Sequence, residues 1–568
     1  MRGNILKGNA WVIRMAERMP ICVWLYAASF VISVIPAFFY TAPAFEDGLG
    51  TMASAAYLAG YDWSGFLAVD GYYYKYGQSL WYLLPFLFIP GAVARYRVML
   101  VINSVLASFI PVLAWRIAVE GLQIARRGAL LIAFLTGLYP PILLYSKYTW
   151  AETNLLVLPW LILWLLIRIY RAEEGTRGRD SMFLAAAVVY AFMSHQRGMV
   201  LLLAVTGTLV CLQCMKKKGL CWPAYLLVLG MGLIADRVLS AWQRAYVYAG
   251  AVMEHNTLWD FLDPEVYRKL LSMEGIRVLL DTAAGWLFHS GASTFGCAFL
   301  GLFLMLRVVW RHLGGKEKYA DGYLLASLFG LFSYFGAFAL GLLFFFQDLY
   351  GYFDGSKVER CDHLLFGRYL ESSVPILLFL GLIVLWGQEK GGIAEKNNEY
   401  SILARFQIVV RKRIRVKTIR TNTVSGKACS LKGQDKGTEA WGLCGKALLF
   451  YVSVTIVTIC RLLPQMAQVD CYVHSLMSLN LFMDTRTVTR TLDVIPNYTT
   501  ALAAFAGVSF LVFACLLRVR GRKGMCIGTA ALCILFLWIY IWNSVTVIGR
   551  VDACGETKYA AVYIEEGE

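Results

Sequence analysis

Two adjacent carboxylates, Glu46 and Asp47, stand in Phe45-Glu46-Asp47-Gly48 just past an apolar run. A hydroxyl becomes a nucleophile when a base lies within hydrogen-bond reach of its proton, and a carboxylate in a water-poor cleft suits that work. By position alone the same pair reads more readily as an acidic loop. The loop continues as Tyr57-Leu58-Ala59-Gly60-Tyr61-Asp62-Trp63, then Tyr72-Tyr73-Tyr74-Lys75-Tyr76-Gly77-Gln78-Ser79-Leu80, strongly aromatic with a single lysine. Glu152 closes Tyr145-Ser146-Lys147-Tyr148-Thr149-Trp150-Ala151-Glu152, where an acidic residue opening a helix also complements its dipole. Arg197 lies in Ser194-His195-Gln196-Arg197-Gly198, and by itself could be an anchor reaching for lipid headgroups. The segment from Arg360 through His363 and Arg368 to Glu371 is basic and aromatic. Its guanidinium groups suit a phosphodiester, and they suit an interfacial belt equally well.

These residues need a frame, and the composition says what kind. The 568-residue chain is 59% hydrophobic and 16% charged, with a mean hydropathy of +0.58. That excludes a soluble globular domain and predicts an all-α polytopic membrane protein, because backbone polar groups in lipid must be satisfied within each helix. Apolar runs predict about thirteen transmembrane helices at the length a bilayer requires. The spans fall near residues 20–42, 98–116, 128–146, 153–170, two within 181–213 hinged at Ser194–Gly198, 222–241, 292–310, 322–346, 373–388, 445–463, 499–518 and 525–543. Residues 78–93, broken by Pro85 and Pro90, read as a re-entrant or interfacial helix after the first outer loop, 43–77.

The formal net charge is +16. In a membrane chain the placement of charge matters more than its sum, and the basic residues gather on the segments placed inside, so no nucleic-acid partner is inferred. This puts the N-terminus in the cytoplasm and the four chemical stretches on the outer face. Residues 389–443 form a basic cytoplasmic linker, densest from Arg411 to Arg420, fitted to lie against anionic lipid. The fourteen cysteines form no disulfide framework, although Cys361, Cys471 and Cys554 all fall outside. Cys211 and Cys214 are a lone CxxC read as a helix end. Glu254, His255, Asp260, Asp263 and His289 share an outer loop without the spacing of a standard metal site. Asn497-Tyr498-Thr499 is an outer glycosylation sequon.

The order of first span, carboxylate pair, small-residue helix, Asp-Trp, aromatic-basic turn and apolar re-entrant helix resembles the GT-C membrane glycosyltransferases. The likeness is nearest to the aminoarabinose transferase and protein O-mannosyltransferase group, which use polyprenyl-phosphate sugars. It covers roughly the first 215 residues and, more loosely, the segment near residue 360. The family loop carries Asp-Glu where this chain has Glu46-Asp47, so the resemblance leaves open which of the two is the base. It implies that Lys75, Arg197 and Arg368 face the donor phosphate. It implies that Glu152, with His195, Arg360 and His363, orients the acceptor or a divalent cation, since family members differ in metal dependence.

The function expected is therefore an inverting glycosyltransferase with Asp47 and Glu46 as catalytic carboxylates. It would move a sugar from a polyprenyl-phosphate donor to a hydroxyl of a cell-envelope glycan, lipid or protein, in a bacterial plasma membrane. The rival is a transporter or flippase of lipid-linked sugars or small solutes, which should bury charges within its spans; Asp236, Arg237 and Asp281 are the candidates. A scaffold for an envelope assembly is a third reading, and it gives Asp47 no role. The expected organisation is a catalytic module at 1–215, further helices at 216–388 with outer loops 242–291 and 347–372, the linker, and C-terminal helices at 444–568.

Overall fold

The computed structural model describes residues 20–43, 45–70, 72–171, 174–217, 219–252, 263–315, 319–353, 361–387, 435–467, 471–484, 486–489, 492–495, 497–519, 521–548 and 558–565. Arg360, Glu254, His255, Asp260, Cys554 and the basic stretch Arg411 to Arg420 lie outside them.

Among the described residues, eight helices are long and apolar enough to cross a membrane: Ile21–Phe38, Ala92–Gly121, Glu152–Arg171, Trp222–Val247, Asp321–Gly351, Gly442–Met466, Tyr498–Arg518 and Lys523–Ile548. A bent pair, Met273–Ala292 with Cys297–Leu313, makes a ninth if it is one span. The chain is a polytopic, helical integral membrane protein. Polar side chains tolerate such helices by bonding to the carbonyl four residues back, as Ser104 does to Leu100, Thr208 to Ala204 and Thr282 to Val278.

The site rests on ten helices. They are α1 (Glu46–Leu58), α2 (Ser79–Phe88), α3 (Glu152–Arg171), α4 (Glu174–Ser194), α5 (Gly198–Cys214), α6 (Trp222–Trp242), α7 (Met273–Ala292), α8 (Cys297–Leu313), α9 (Asp321–Phe353) and α10 (Val374–Gly387). α4 packs between α3 and α6, α5 packs on α9, and α8 packs on α10. The expected break at residues 194–198 is present, with α4 ending at Ser194 and α5 beginning at Gly198. α2 is the short apolar helix expected after the first loop and has Pro85 inside it.

Four details differ from the sequence reading. The count of about thirteen spans came partly from runs that are too short or broken; 128–146, for example, divides into Arg126–Gly137 and Pro140–Tyr145 at Pro140. Most of the expected loop 242–291 is helical, because α7 starts at a Ser272 cap whose hydroxyl accepts from the Gly275 amide at 2.9 Å. α7 and α8 then meet at 107°, a turn made by Phe295 at φ 49° and Gly296 at φ +77°. A side chain at Gly296 would also strike the Phe513 ring. α9 runs 33 residues and enters the expected loop 347–372. Finally, the fold is not purely helical: Cys471–Tyr472, Arg486–Thr489 and Leu492–Ile495 form a small antiparallel sheet with the last strand central.

Candidate active site

Glu46 and Asp47 occupy the first turn of α1, where the helix dipole favours negative charge. The turn is pinned by Thr51, whose single hydroxyl proton is shared between the Asp47 carbonyl at 2.5 Å and the Thr149 carbonyl at 2.6 Å. The two carboxylates then diverge. Glu46 Oε1 accepts from the Tyr72 amide at 2.7 Å, on the loop side. Asp47 turns inward: its Oδ1 accepts from the Tyr74 hydroxyl at 2.5 Å, and its Oδ2 pairs with Arg368 Nη2 at 2.5 Å. Asp47 keeps 24% of its side chain exposed, so a reactant can reach it.

Beyond Arg368 the charges alternate. Arg368 Nε and Arg197 Nη2 both bond to Oε1 of Glu152, which opens α3. Arg197 also donates to the Arg368 carbonyl at 3.2 Å. Each guanidinium lies over an aromatic ring, Arg368 over Trp150 at 4.0 Å and Arg197 over Tyr369 at 4.6 Å. Trp150 is itself stacked on Tyr148 at 4.2 Å. The array Asp47, Arg368, Glu152, Arg197 is electrically balanced, which allows four charges to sit at a largely buried site. It is not saturated: Glu152 Oε2 and Arg197 Nε are buried without hydrogen-bond partners. Such atoms are where an incoming polar group would bind. Arg197 and Tyr369 also line a crevice of about 10 Å³, room for roughly one water, shared with the apolar Leu155, Leu201 and Leu340.

His195 sits at the α4–α5 break, and its Nδ1 accepts from the Arg197 amide at 3.0 Å. Burial, reinforced by the Arg197 charge, pushes its pKa down to about 3, so it enters the site as a neutral imidazole. A divalent cation fits this arrangement poorly, since Asp47 and Glu152 already face guanidinium groups. Among the described residues, no three His, Cys, Asp or Glu side chains gather closely enough to hold a metal ion.

The remaining candidates lie elsewhere. Lys75 was expected at the donor phosphate, but its ammonium bonds to Asp236 of α6 at 2.8 and 2.9 Å and to the Phe192 carbonyl at 2.9 Å. It lies 3.4 Å from the centre of the Phe192 ring. Burial lowers its pKa while Asp236 draws it back up. Neighbours in the segment Tyr72–Gly77 therefore serve different walls, Tyr74 the Asp47 site and Lys75 the α4–α6 wall. His363 stands in an aromatic setting, its ring 4.1 Å from Phe345 and 5.2 Å from Phe366. The partners Tyr74, Trp150 and Tyr369 were not singled out from the sequence. Each lies within or beside a quoted stretch, but an aromatic-rich loop gives no sign of which ring meets which charge.

No family profile matches the sequence, and no curated protein does. Among solved structures, the chain is similar to ArnT from Cupriavidus metallidurans in the apo state, at 12% identity and TM-score 0.43, over 96% of this chain and 78% of that one. It is also similar to ArnT from the same organism bound to undecaprenyl phosphate, at 12% identity and TM-score 0.44, over 93% and 77% of the two chains.

Proposed function

We propose that the chain is an inverting, GT-C-type glycosyltransferase that moves a sugar from a polyprenyl-phosphate donor to an acceptor hydroxyl at the outer face of the membrane. The observation that carries this reading is the array in which one arginine, Arg368, bridges an accessible carboxylate, Asp47, and a second arginine site at Glu152 and Arg197. A sugar phosphodiester needs a base on one side of its anomeric carbon and cations on the other, within a few ångströms.

In the proposed reaction the acceptor oxygen attacks the anomeric carbon and its proton passes to Asp47. The bond between that carbon and the phosphate oxygen breaks with inversion, and the polyprenyl phosphate leaves with the bonding pair. Arg368 and Arg197 stabilise the charge that grows on the phosphate, and Glu152 holds both guanidinium groups aligned before the donor arrives. Tyr74 fixes the Asp47 rotamer. Glu46, directed at the Tyr72 amide, shapes the loop and is not the base. Lys75 acts through Asp236, tying the first loop to α6.

Two ion pairs that bury a carboxylate on an apolar helix favour a transporter instead: Lys75 of the first loop with Asp236 of Trp222–Val247, and Asp281 of α7 with Arg461 of Gly442–Met466 at 2.6 Å. One experiment separates the two readings: transfer from a radiolabelled polyprenyl-phosphate sugar pool to endogenous acceptor, in membranes carrying matched amounts of wild type, Glu46→Gln, Asp47→Asn or the double variant. Transfer by wild type and Glu46→Gln, with loss in both Asp47 variants, supports the enzyme and the base. Equal consumption by all, or by none, favours the transporter.

A further inference from the structure

A second buried polar cluster lies behind the site, and nothing in the proposed chemistry uses it. His289 of α7 directs Nδ1 at the Leu365 carbonyl, 3.0 Å away, and Nε2 at Glu371 Oε1, 3.1 Å away. Ser478 joins both, 2.8 Å from His289 Nε2 and donating to Glu371 Oε1 at 2.7 Å. The Tyr145 hydroxyl donates to Glu371 Oε2. All four side chains are buried.

The proton count follows from the partners. A carbonyl can only accept, so Nδ1 carries a hydrogen, and the Ser478 hydrogen goes to Glu371. Nε2 and Glu371 Oε1 then meet across 3.1 Å and need one proton between them. The pair is thus either imidazolium with carboxylate or imidazole with carboxylic acid. Both forms are neutral overall, which explains how the group tolerates burial.

Its placement shows what it grips. Residues 365–371 wrap around the imidazole, held at one end by the Leu365 carbonyl and at the other by the Glu371 side chain. Gly367 lies between, so close that a Cβ there would come within 1.8 Å of His289 Nε2. One turn earlier on α7, Trp286 Nε1 donates to the His363 carbonyl at 2.8 Å. Arg368 sits in the middle of the gripped turn and points the other way, to Asp47 and Glu152.

We infer that His289, Glu371 and Ser478 are positioning residues that set the Arg368 turn, so that α7 and the segment carrying Ser478 fix where the guanidinium meets Asp47. The effect on turnover rests on the glycosyltransferase reading; the grip itself does not.

Two measurements on the full chain test this. The first is amide hydrogen exchange of purified protein. Glu371→Ala and His289→Leu should speed exchange at Leu370, Glu371 and Ser373, whose amides bond to Gly367 and Leu370, and leave the body of α10 protected. Unchanged exchange at those amides overturns the grip. The second is initial transfer rate from the labelled polyprenyl-phosphate pool. Glu371→Ala should cost about 10- to 100-fold, the scale of a misplaced catalytic group. Glu371→Gln, whose amide can donate to a neutral His289 while its oxygen still accepts, should stay within about threefold of wild type. Arg368→Ala with Glu371→Ala should be no slower than Arg368→Ala alone, since a residue acting through Arg368 has nothing left to act on. Multiplying losses in the double variant, or a Gln variant as poor as Ala, overturn the positioning role. If wild type itself transfers no label, the glycosyltransferase reading falls, and the exchange data alone decide the grip.

Discussion

At the scale of single residues, neighbouring carboxylates separate by the direction of their side chains. Asp47 faces Tyr74 and Arg368, while Glu46 faces the Tyr72 amide. Asp47→Asn should therefore lower transfer by about 10²- to 10⁴-fold, the usual worth of a positioned base, and Glu46→Gln by less than about tenfold, in the labelled-donor assay. His195 gives a pH prediction. Its folded-state pKa, pushed down to about 3, lies below its unfolded value, so the unfolded chain binds the extra proton first. The stability held with neutral His195 is complete above the ordinary histidine pKa and drains away as pH falls toward about 3. Melting temperatures of wild type should thus fall more between neutral pH and pH 4 than those of His195→Asn. The acid limb of the rate profile should persist in that variant, because His195 does not titrate there. The sequence marked Glu46, Asp47, Glu152, Arg197 and Arg368 by type and neighbourhood, but carbon–carbon rotamers decide which carboxylate meets an arginine, and no spacing encodes them.

At the scale of elements, the first loop is tied to α6 by the Lys75–Asp236 pair, with Tyr76 donating to Asp236 at 3.1 Å. Gln243, in the π-helical turn after α6, donates to the Tyr74 carbonyl at 2.7 Å, and the Tyr248 hydroxyl accepts from the Tyr74 amide at 3.0 Å. The loop that presents Tyr74 to Asp47 is thus clamped from the α6 side. Removing one member of a buried ion pair leaves the other charge uncompensated, so Lys75→Met should cost about 3–5 kcal/mol, whereas Lys75→Met with Asp236→Leu should recover most of it. Thermal unfolding of the purified protein in detergent reads both. A Lys75→Met variant as stable as wild type would mean that the pair holds nothing together.

At the scale of the whole molecule, the helices that could cross a membrane leave the site at the ends of spans, where α1, α3 and the α4–α5 break converge. We infer from the placement of charge in the sequence that this end faces outward. Single cysteines at Asp62 in the first loop and at Ser425 in the basic linker, in a cysteine-free background, should react with a membrane-impermeant maleimide from opposite sides of sealed cells. Labelling of both from the same side would overturn the topology and with it an outer-face acceptor. The C-terminal helix Lys558–Glu565 also returns to the first-loop end: its Tyr563 donates to the Ala92 carbonyl at 2.9 Å and meets the Trp63 and Tyr96 rings.

The amino-acid sequence by itself determined that the chain is helical and membrane-embedded, because transfer of apolar surface and backbone satisfaction in lipid are local properties of each run. It also marked the break at Ser194–Gly198 and the stretches that hold Asp47, Glu152, Arg197 and Arg368, since charge amid apolar residues is visible one segment at a time. Only the tertiary structure decided that these four form one array, that Lys75 belongs to Asp236, and that His289 grips the turn carrying Arg368. Those are encounters between side chains far apart in the chain, at distances where an ångström decides between a bond and none, and the pattern of a single segment holds no information about the partner it will meet.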